Sequence, residues 1–391
     1  MDRMDLTPSM AQAADTGSGH AEPRRAAREP VWPDASDLVY DEAVKARVDH
    51  LYAKVKDVVT PMEWPKFAPV IDAILRLKEE RGATILAHNY MTPEIFNCVG
   101  DITGDSLKLA QVAAAAEEEI IVQAGVHFMA ETAKILSPDK MVLIPDMEAG
   151  CSLASSITGA DVQRIKAAYP DYPIVTYVNT SAEVKAYSDI CCTSSNAVQV
   201  VEAIAAQWDT DTVIMIPDEY LAKNVAAQTG IKILTWKGAC EVHEQFTPED
   251  IDALREAHPD AVILTHPECP PEVMARADFA GSTGAMASYV KDKAPKKAIL
   301  ITECSMSDNV SVENPQTAFV KPCNLCPHMK RITLTGIYEA LRDLKHEVHV
   351  DPVIAKKARA SLQAMLDLPK PEKPASFDPT KPEKPVALVA V

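Results

Sequence analysis

The feature that most restricts how this chain can fold is an internal period of 89 residues. Thr158 to Thr176 reads TGADVQRIKAAYPDYPIVT and Thr247 to Thr265 reads TPEDIDALREAHPDAVILT, an alignment without a gap at that offset. Each segment reads as a helix followed by a strand. Thr247 with Asp250 makes a capping-box start, Pro248 suits the first helical position, and Pro259-Asp260 supplies the turn. Pro69 to Ala87, PVIDAILRLKEERGATILA, holds the same place one period earlier. Just past each strand stands a polar ring, His88, Tyr177 and His266, at intervals of 89 residues both times. About 17 residues further on, a hydroxyl opens a helix: Ser106 in GDSLKLA, Ser194 in TSSNAV, Thr283 in GSTGAM. A second apolar strand follows at 119–123, 212–216 and 298–301, then a third strand and a cysteine.

Those cysteines are Cys151, Cys240 and Cys326, spaced by 89 and 86 residues. Cys240 lies in WKGACEVHEQF after the apolar run 231–236, which reads as a short buried strand. A solenoid repeat spans about 20 to 50 residues, so a unit of this length is a small domain. The expected organisation is therefore α/β: three similar three-layer αβα domains with parallel sheets around a pseudo-threefold axis, at 69–157, 158–246 and 247–335. Helices at 38–68 lead in, within Asp37 to Val58 and Pro65 to Lys78, and C-terminal helices follow at 336–368. Residues 1–37 lack apolar periodicity, and the Pro/Lys/Glu-rich segment 369–391 reads as an extended tail, so both are expected to stay disordered and outside the fold. In parallel sheets with right-handed crossovers, ligands sit beyond the carboxyl ends of the strands. The rings, the hydroxyls and the cysteines all fall there.

Composition narrows the function. A net charge of −17 and a pI near 5.1 argue against nucleic acid and against an anionic membrane surface as partners. No apolar run has the roughly 18 to 20 residues of a membrane span, and the N-terminus lacks a signal layout, so a cytoplasmic location is expected. Nine cysteines in such a chain point to reduced thiols, metal ligation or catalysis. With 13 glycines, no P-loop and no complete GxGxxG, a phosphate-binding glycine loop is not expected.

A buried cysteine taken singly packs as a small apolar group, the expected role of Cys98, Cys191, Cys192, Cys269 and Cys304. Three in register from three domains instead suit a metal centre, zinc or iron-sulfur. A 4Fe-4S cluster normally takes four protein ligands, so three would leave one iron open as a Lewis acid. His88 and Tyr90 in AHNY, Tyr177 and Asn179 in TYVNTS, and His266 and Glu268 in HPECP offer acid-base and ligand-orienting groups, and His243 lies three residues beyond Cys240. Helix starts at Ser106, Ser194 and Thr283 suit phosphate or carboxylate, although the hydroxyls would also serve as plain helix caps.

Together the motifs resemble the quinolinate synthase family of bacterial NAD biosynthesis. The resemblance rests on AHNY (87–90), GDSL (104–107), DMEAGCSLA (146–154), TYVNTSAEVKA (176–186), CTSSNAV (192–198), the stretch from Cys240 to His243, HPECPPEV (266–273), GSTGAM (281–286) and CPHMKRITL (326–334). It implies a 4Fe-4S cluster, one per chain, bound by Cys151, Cys240 and Cys326. It implies condensation of iminoaspartate with dihydroxyacetone phosphate to quinolinate, with loss of phosphate and two waters. Glu268, His266 and Tyr90 would then do acid-base work, while His88, Ser106, Tyr177, Asn179, Ser194, His243 and Thr283 bind substrate. Functional coupling to an L-aspartate oxidase or dehydrogenase would supply the unstable imine. Two other readings share parts of this pattern, a different three-cysteine iron-sulfur hydro-lyase and a zinc-stabilised scaffold. In CNLC, Cys326 is expected to be the ligand and Cys323 not, because a fourth thiolate would close the open iron; a regulatory Cys323–Cys326 disulfide is a further reading.

Overall fold

The computed structural model describes residues 32–369 and 376–390, and every element below lies in the unit from Asp34 onward. Segment 1–31, expected to be disordered, lies outside the described residues; 35–37 form a short 3-10 turn. The lead-in helices are Glu42–Tyr52 and Trp64–Arg81. The first is shorter than expected, since the chain runs into turns at residue 53. The second ends at Gly82, whose φ of 60° is left-handed and inexpensive only for glycine.

Three parallel sheets follow, all built to one plan. The first domain contains β1 (Ala83–His88), β2 (Ile102–Gly104), β3 (Ile120–Ala124) and β4 (Met141–Leu143). The second has β5 (Ile174–Tyr177), β6 (Ile190–Cys192), β7 (Thr212–Ile216) and β8 (Lys232–Thr235). The third has β9 (Val262–Thr265), β10 (Phe279–Gly281), β11 (Lys297–Ile301) and β12 (Ala318–Val320). Their orders are β2-β1-β3-β4, β6-β5-β7-β8 and β10-β9-β11-β12, every pairing among them parallel. In each copy the chain leaves the first strand toward one edge and the third strand toward the other. The first and third strands thus flank a topological switch point, where a crevice opens at their carboxyl ends.

The strands read as short apolar runs because both faces are covered, as parallel sheets require. On β11, Ile299 and Ile301 face a cluster with Phe246, Ile251 and Ile263, while Ala298 and Leu300 face Met286, Val290 and Leu264. Alternate residues thus enter two separate cores. Thr158 with Asp161, and Thr247 with Asp250, form the two capping boxes that start the helices Gly159–Ala168 and Pro248–Ala257.

The C-terminal segment differs from its expected place outside the fold. Ser376–Phe377 (β13) pairs antiparallel with β10, and Ala387–Leu388 (β14) pairs parallel with β8. Pro/Lys composition argued against a packed core, but an edge strand needs only backbone hydrogen bonds and one apolar anchor. Phe377, 3% exposed, is that anchor. Among the described residues no helix is long and apolar enough to cross a membrane.

Candidate active site

The carboxyl ends of the three first strands meet at one cavity, and all thirteen side chains singled out from the sequence line it: Cys151, Cys240, Cys326, His88, Tyr90, Ser106, Tyr177, Asn179, Ser194, His243, His266, Glu268 and Thr283. They come from residues up to 238 positions apart, from Cys326 back to His88, so only the triplicated fold brings them together.

His88 ends β1 and His266 follows β9, and the same backbone device holds both rings. The Tyr90 N–H donates to His88 Nδ1 (3.1 Å) and the Glu268 N–H donates to His266 Nδ1 (3.3 Å). A ring nitrogen that accepts carries no proton, so each neutral imidazole bears its proton on Nε2. Burial pushes the two imidazoles down, to about 4 for His88 and about 3 for His266. They are therefore neutral donors at pH 7.

Glu268 is 3% exposed and accepts from two sides. The Tyr177 hydroxyl donates to Oε1, and His243 Nδ1 lies 2.9 Å from Oε2. Burial works against its charge, but His266 and His243 beside it, with the hydrogen bonds from His243 and Tyr177, hold it below the usual carboxylate range. His266 Nδ1 is 4.0 Å from the carboxylate. Glu268 therefore pairs directly with His243, while the His266 ring, its neighbour in HPECP, stands further off. Burial, with Glu268 next, raises Tyr177 and Tyr90 well above the usual phenol range.

From Glu268 a hydrogen-bonded chain runs through the site. His243 Nε2 lies 2.9 Å from Thr302 Oγ1, which lies 2.6 Å from the Tyr90 hydroxyl. A carboxylate has no proton to give, so Nδ1–H of His243 donates to it. When the ring carries that proton alone, Nε2 accepts from Thr302, which in turn accepts from Tyr90. His243 also stacks on His266 with ring centroids 4.7 Å apart. Thr302 escaped the sequence reading because the matching places in the other copies hold Gly125 and Pro217, which leave no periodic signal.

The hydroxyl positions differ in detail from the expectation. Asp105 caps the helix Ser106–Ala115 and Ser282 caps Thr283–Lys293, so Ser106 and Thr283 are first helical residues. Ser194 lies three residues before the helix Ala197–Gln207, in a turn where Asn196 Oδ1 accepts from the Thr193 N–H (2.7 Å). At Ser106 and Thr283 the preceding residue does the capping, which leaves their own side chains to line the cavity. Thr283 Oγ1 accepts from Asn89 Nδ2 at 2.9 Å. The buried Oδ1 of Asn179 has no protein partner.

Cys151, Cys240 and Cys326 are free thiols on the loops that close the three repeats. Those loops are tied to one another. Ser152 Oγ donates to Ala239 O and accepts from the Glu241 N–H, both at 3.1 Å, and Glu241 pairs with His328 at 2.9 Å. Arg331 returns to Asp146 (3.0 Å) and Glu148 (2.7 Å). His328, Glu241 and Arg331 are further site-supporting residues that the sequence reading quoted only as neighbours of the cysteines. Cys323 is joined to Cys304 in a disulfide with Cα atoms 4.8 Å apart, so its partner is neither the cavity nor Cys326.

Burial raises all three cavity thiols, Cys151 to about 12, so without a cation they stay protonated. None of the lining residues is lysine or arginine. Three soft donors converging on a cavity with no lysine or arginine in its lining fit a thiolate-held metal group, whose charge would deprotonate them. A second donor set overlaps it: ligand atoms of Cys240, His243 and Glu268 lie within 4.8 Å of one another.

Fold and site together define a triplicated αβα enzyme with a buried acid-base network beside a centre capable of holding metal. The chain belongs to the quinolinate synthetase A protein family, whose profile matches residues 72–367. It is 60% identical to a quinolinate synthase of Caulobacter vibrioides strain NA1000 / CB15N over 343 residues, 88% of this chain and 94% of that protein. It is 62% identical to quinolinate synthase 1 of Mesorhizobium japonicum over 316 residues, 81% of this chain and 96% of that one. A Xylella fastidiosa quinolinate synthase is 60% identical over 301 residues, covering 77% and 88%.

Proposed function

We propose that this protein is a quinolinate synthase, condensing iminoaspartate with dihydroxyacetone phosphate to quinolinate, phosphate and two waters. Cys151, Cys240 and Cys326 would hold a 4Fe-4S cluster. When bound with three protein thiolates, such a cluster supplies an open iron as a Lewis acid for a departing hydroxyl. The observation that carries the reading is the convergence of three free thiols, one from each repeat, on the cavity that holds Glu268.

The chain's own groups have distinct work. His88 and His266 donate from Nε2 to carbonyl or carboxylate oxygens of the substrate and, being neutral, do not exchange that role with pH near 7. Asn179, with its unpartnered amide oxygen, orients an imine or amine N–H. The helix starts at Ser106 and Thr283 offer unpaired N–H groups to phosphate or carboxylate, which an acidic cavity without lysines requires. Glu268, ionised, takes a proton from carbon or water. His243, Thr302 and Tyr90 then offer that proton a hydrogen-bonded path.

A second reading is favoured by the Cys240, His243 and Glu268 group, which would suit a single zinc ion. Iron, sulfide and zinc content of anaerobically purified protein, with quinolinate formation from the two substrates, separates the two. About four irons and four sulfides per chain with turnover supports the cluster; zinc without sulfide and without turnover overturns it.

A further inference from the structure

Two asparagines lie outside the cavity, each on the helix that follows the third strand of its sheet. Asn224 comes eight residues after the end of β7 and Asn309 eight after the end of β11. Both are buried, 1% and 3% exposed, and each reaches into a different domain. Asn224 Nδ2 donates to Pro267 O (2.8 Å) and Cys269 O (2.9 Å). Asn309 Nδ2 donates to Asn89 O (3.0 Å) and Met91 O (2.8 Å). Relative to the ring residue of the clasped loop, the accepting carbonyls are the first and third after His266, and the first and third after His88. Only an NH2 group can face two carbonyls, which fixes the orientation of both amides.

The clasp has a consequence for the ring. Drawing the first and third carbonyls to one point curls the loop, and the peptide N–H between them turns back toward the imidazole. That N–H is the one that donates to Nδ1, from Tyr90 in one loop and from Glu268 in the other. The matching place in the first domain, eight residues after β3, is Thr132, whose hydroxyl donates to Phe128 O of its own helix (2.8 Å). The loop it would face carries Tyr177, and there the third carbonyl, Thr180 O, accepts instead from Lys185 of the same domain. The device is present at both histidine loops and absent at the tyrosine loop, where no tautomer needs choosing.

We infer that Asn224 and Asn309 are positioning residues that fix His266 and His88, each from the neighbouring domain, in the tautomer with the proton on Nε2. Neither lines the cavity that holds the thiols and the acid-base chain. The kinetic part of the test rests on the proposed reaction, and the spectroscopic part does not.

The experiment uses the full-length, metal-loaded chain labelled with 15N-histidine, the two rings being assigned with His88→Gln and His266→Gln. Both rings should show Nε2–H signals, Asn309→Ala should move the His88 signal alone, and Asn224→Ala the His266 signal alone. Asn309→Asp, isosteric but without the two N–H donors, should repeat the Asn309→Ala result and serves if the alanine variant does not fold. In turnover, Asn309→Ala should lower kcat about 10- to 10²-fold, the scale for a misplaced reacting group. Combined with His88→Gln it should do no further harm, because residues acting through one another are not additive. The inference is overturned if the imidazole signals stay put, if both asparagine variants move both rings alike, or if the double variant shows the product of the single effects. A wild type that forms no quinolinate would sink the proposed reaction while the tautomer signals still decide this point.

Discussion

Replacing Glu268 by glutamine is the sharpest perturbation of the site, because the change is isosteric and its two effects have different sizes. The carboxylate accepts from Tyr177 on one oxygen and from His243 on the other. An amide offers one acceptor, so one of these buried donors comes to face an NH2 group. Leaving a buried donor unpaired costs about 1–3 kcal/mol, and rotation of the Tyr177 hydroxyl to accept from the new amide places the expected loss at the lower end. The catalytic loss should be larger. Removing a general base costs about 10²- to 10⁴-fold in rate, which is about 3–5 kcal/mol of barrier. The assay is quinolinate formation by anaerobic protein of measured iron and sulfide content, alongside urea unfolding. Glu268→Gln should keep its metal and fold, lose about 1 kcal/mol in stability, and lose at least about 10²-fold in kcat. A variant turning over within about 3-fold of wild type, below the smallest general-base effect, would refute the base assignment and leave Glu268 as an anchor for Tyr177 and His243.

Cys151→Ser, Cys240→Ser and Cys326→Ser should each lose iron, sulfide and turnover with unchanged far-UV circular dichroism, since each domain has its own core; Cys323→Ser, whose sulfur meets Cys304, should keep the metal and most of its activity. If Cys323→Ser loses iron equally, the three-ligand assignment fails. The folded values of His88 and His266, about 4 and about 3, lie below the ordinary 6.5, so the unfolded chain binds more protons. Their contribution to stability is then complete above pH 6.5 and falls as the pH drops toward the folded values, by about 1.4 kcal/mol per pH unit for each ring; urea unfolding at pH 7.5 and 5 should show it, and an unchanged midpoint would contradict it. In Gly238→Ala the new Cβ would lie 2.5 Å from Pro217 O and 2.6 Å from Ser156 Oγ. Backbone must move, so a loss of about 1–3 kcal/mol and reduced metal loading at Cys240, two residues on, are expected; a neutral substitution would mean that this loop is not held as described.

The sequence by itself determined the repeat and whatever is carried by register. The 89-residue offset placed the three first strands and the rings His88, Tyr177 and His266, and with a slip to 86 in the last copy the cavity cysteines Cys151, Cys240 and Cys326, because equivalent positions in a repeated fold reach equivalent places in space. The capping box at Thr247 was equally legible, being local hydrogen bonds between residues three apart, and the structure repeats it one period earlier at Thr158. Pairings across domain junctions were not. Glu268 meets His243 more closely than His266 because β9 and the Cys240 loop belong to different repeats that approach only when all three sheets are assembled. Thr302 was silent because its counterparts are glycine and proline. The edge strands β13 and β14 escaped notice because backbone pairing at a sheet edge makes almost no demand on side-chain pattern. Asn224 and Asn309 stand in register with each other, yet their targets lie 43 to 45 and 218 to 220 residues away. A repeat pattern says which residues are equivalent; only the packing of one copy against the next decides which of them touch.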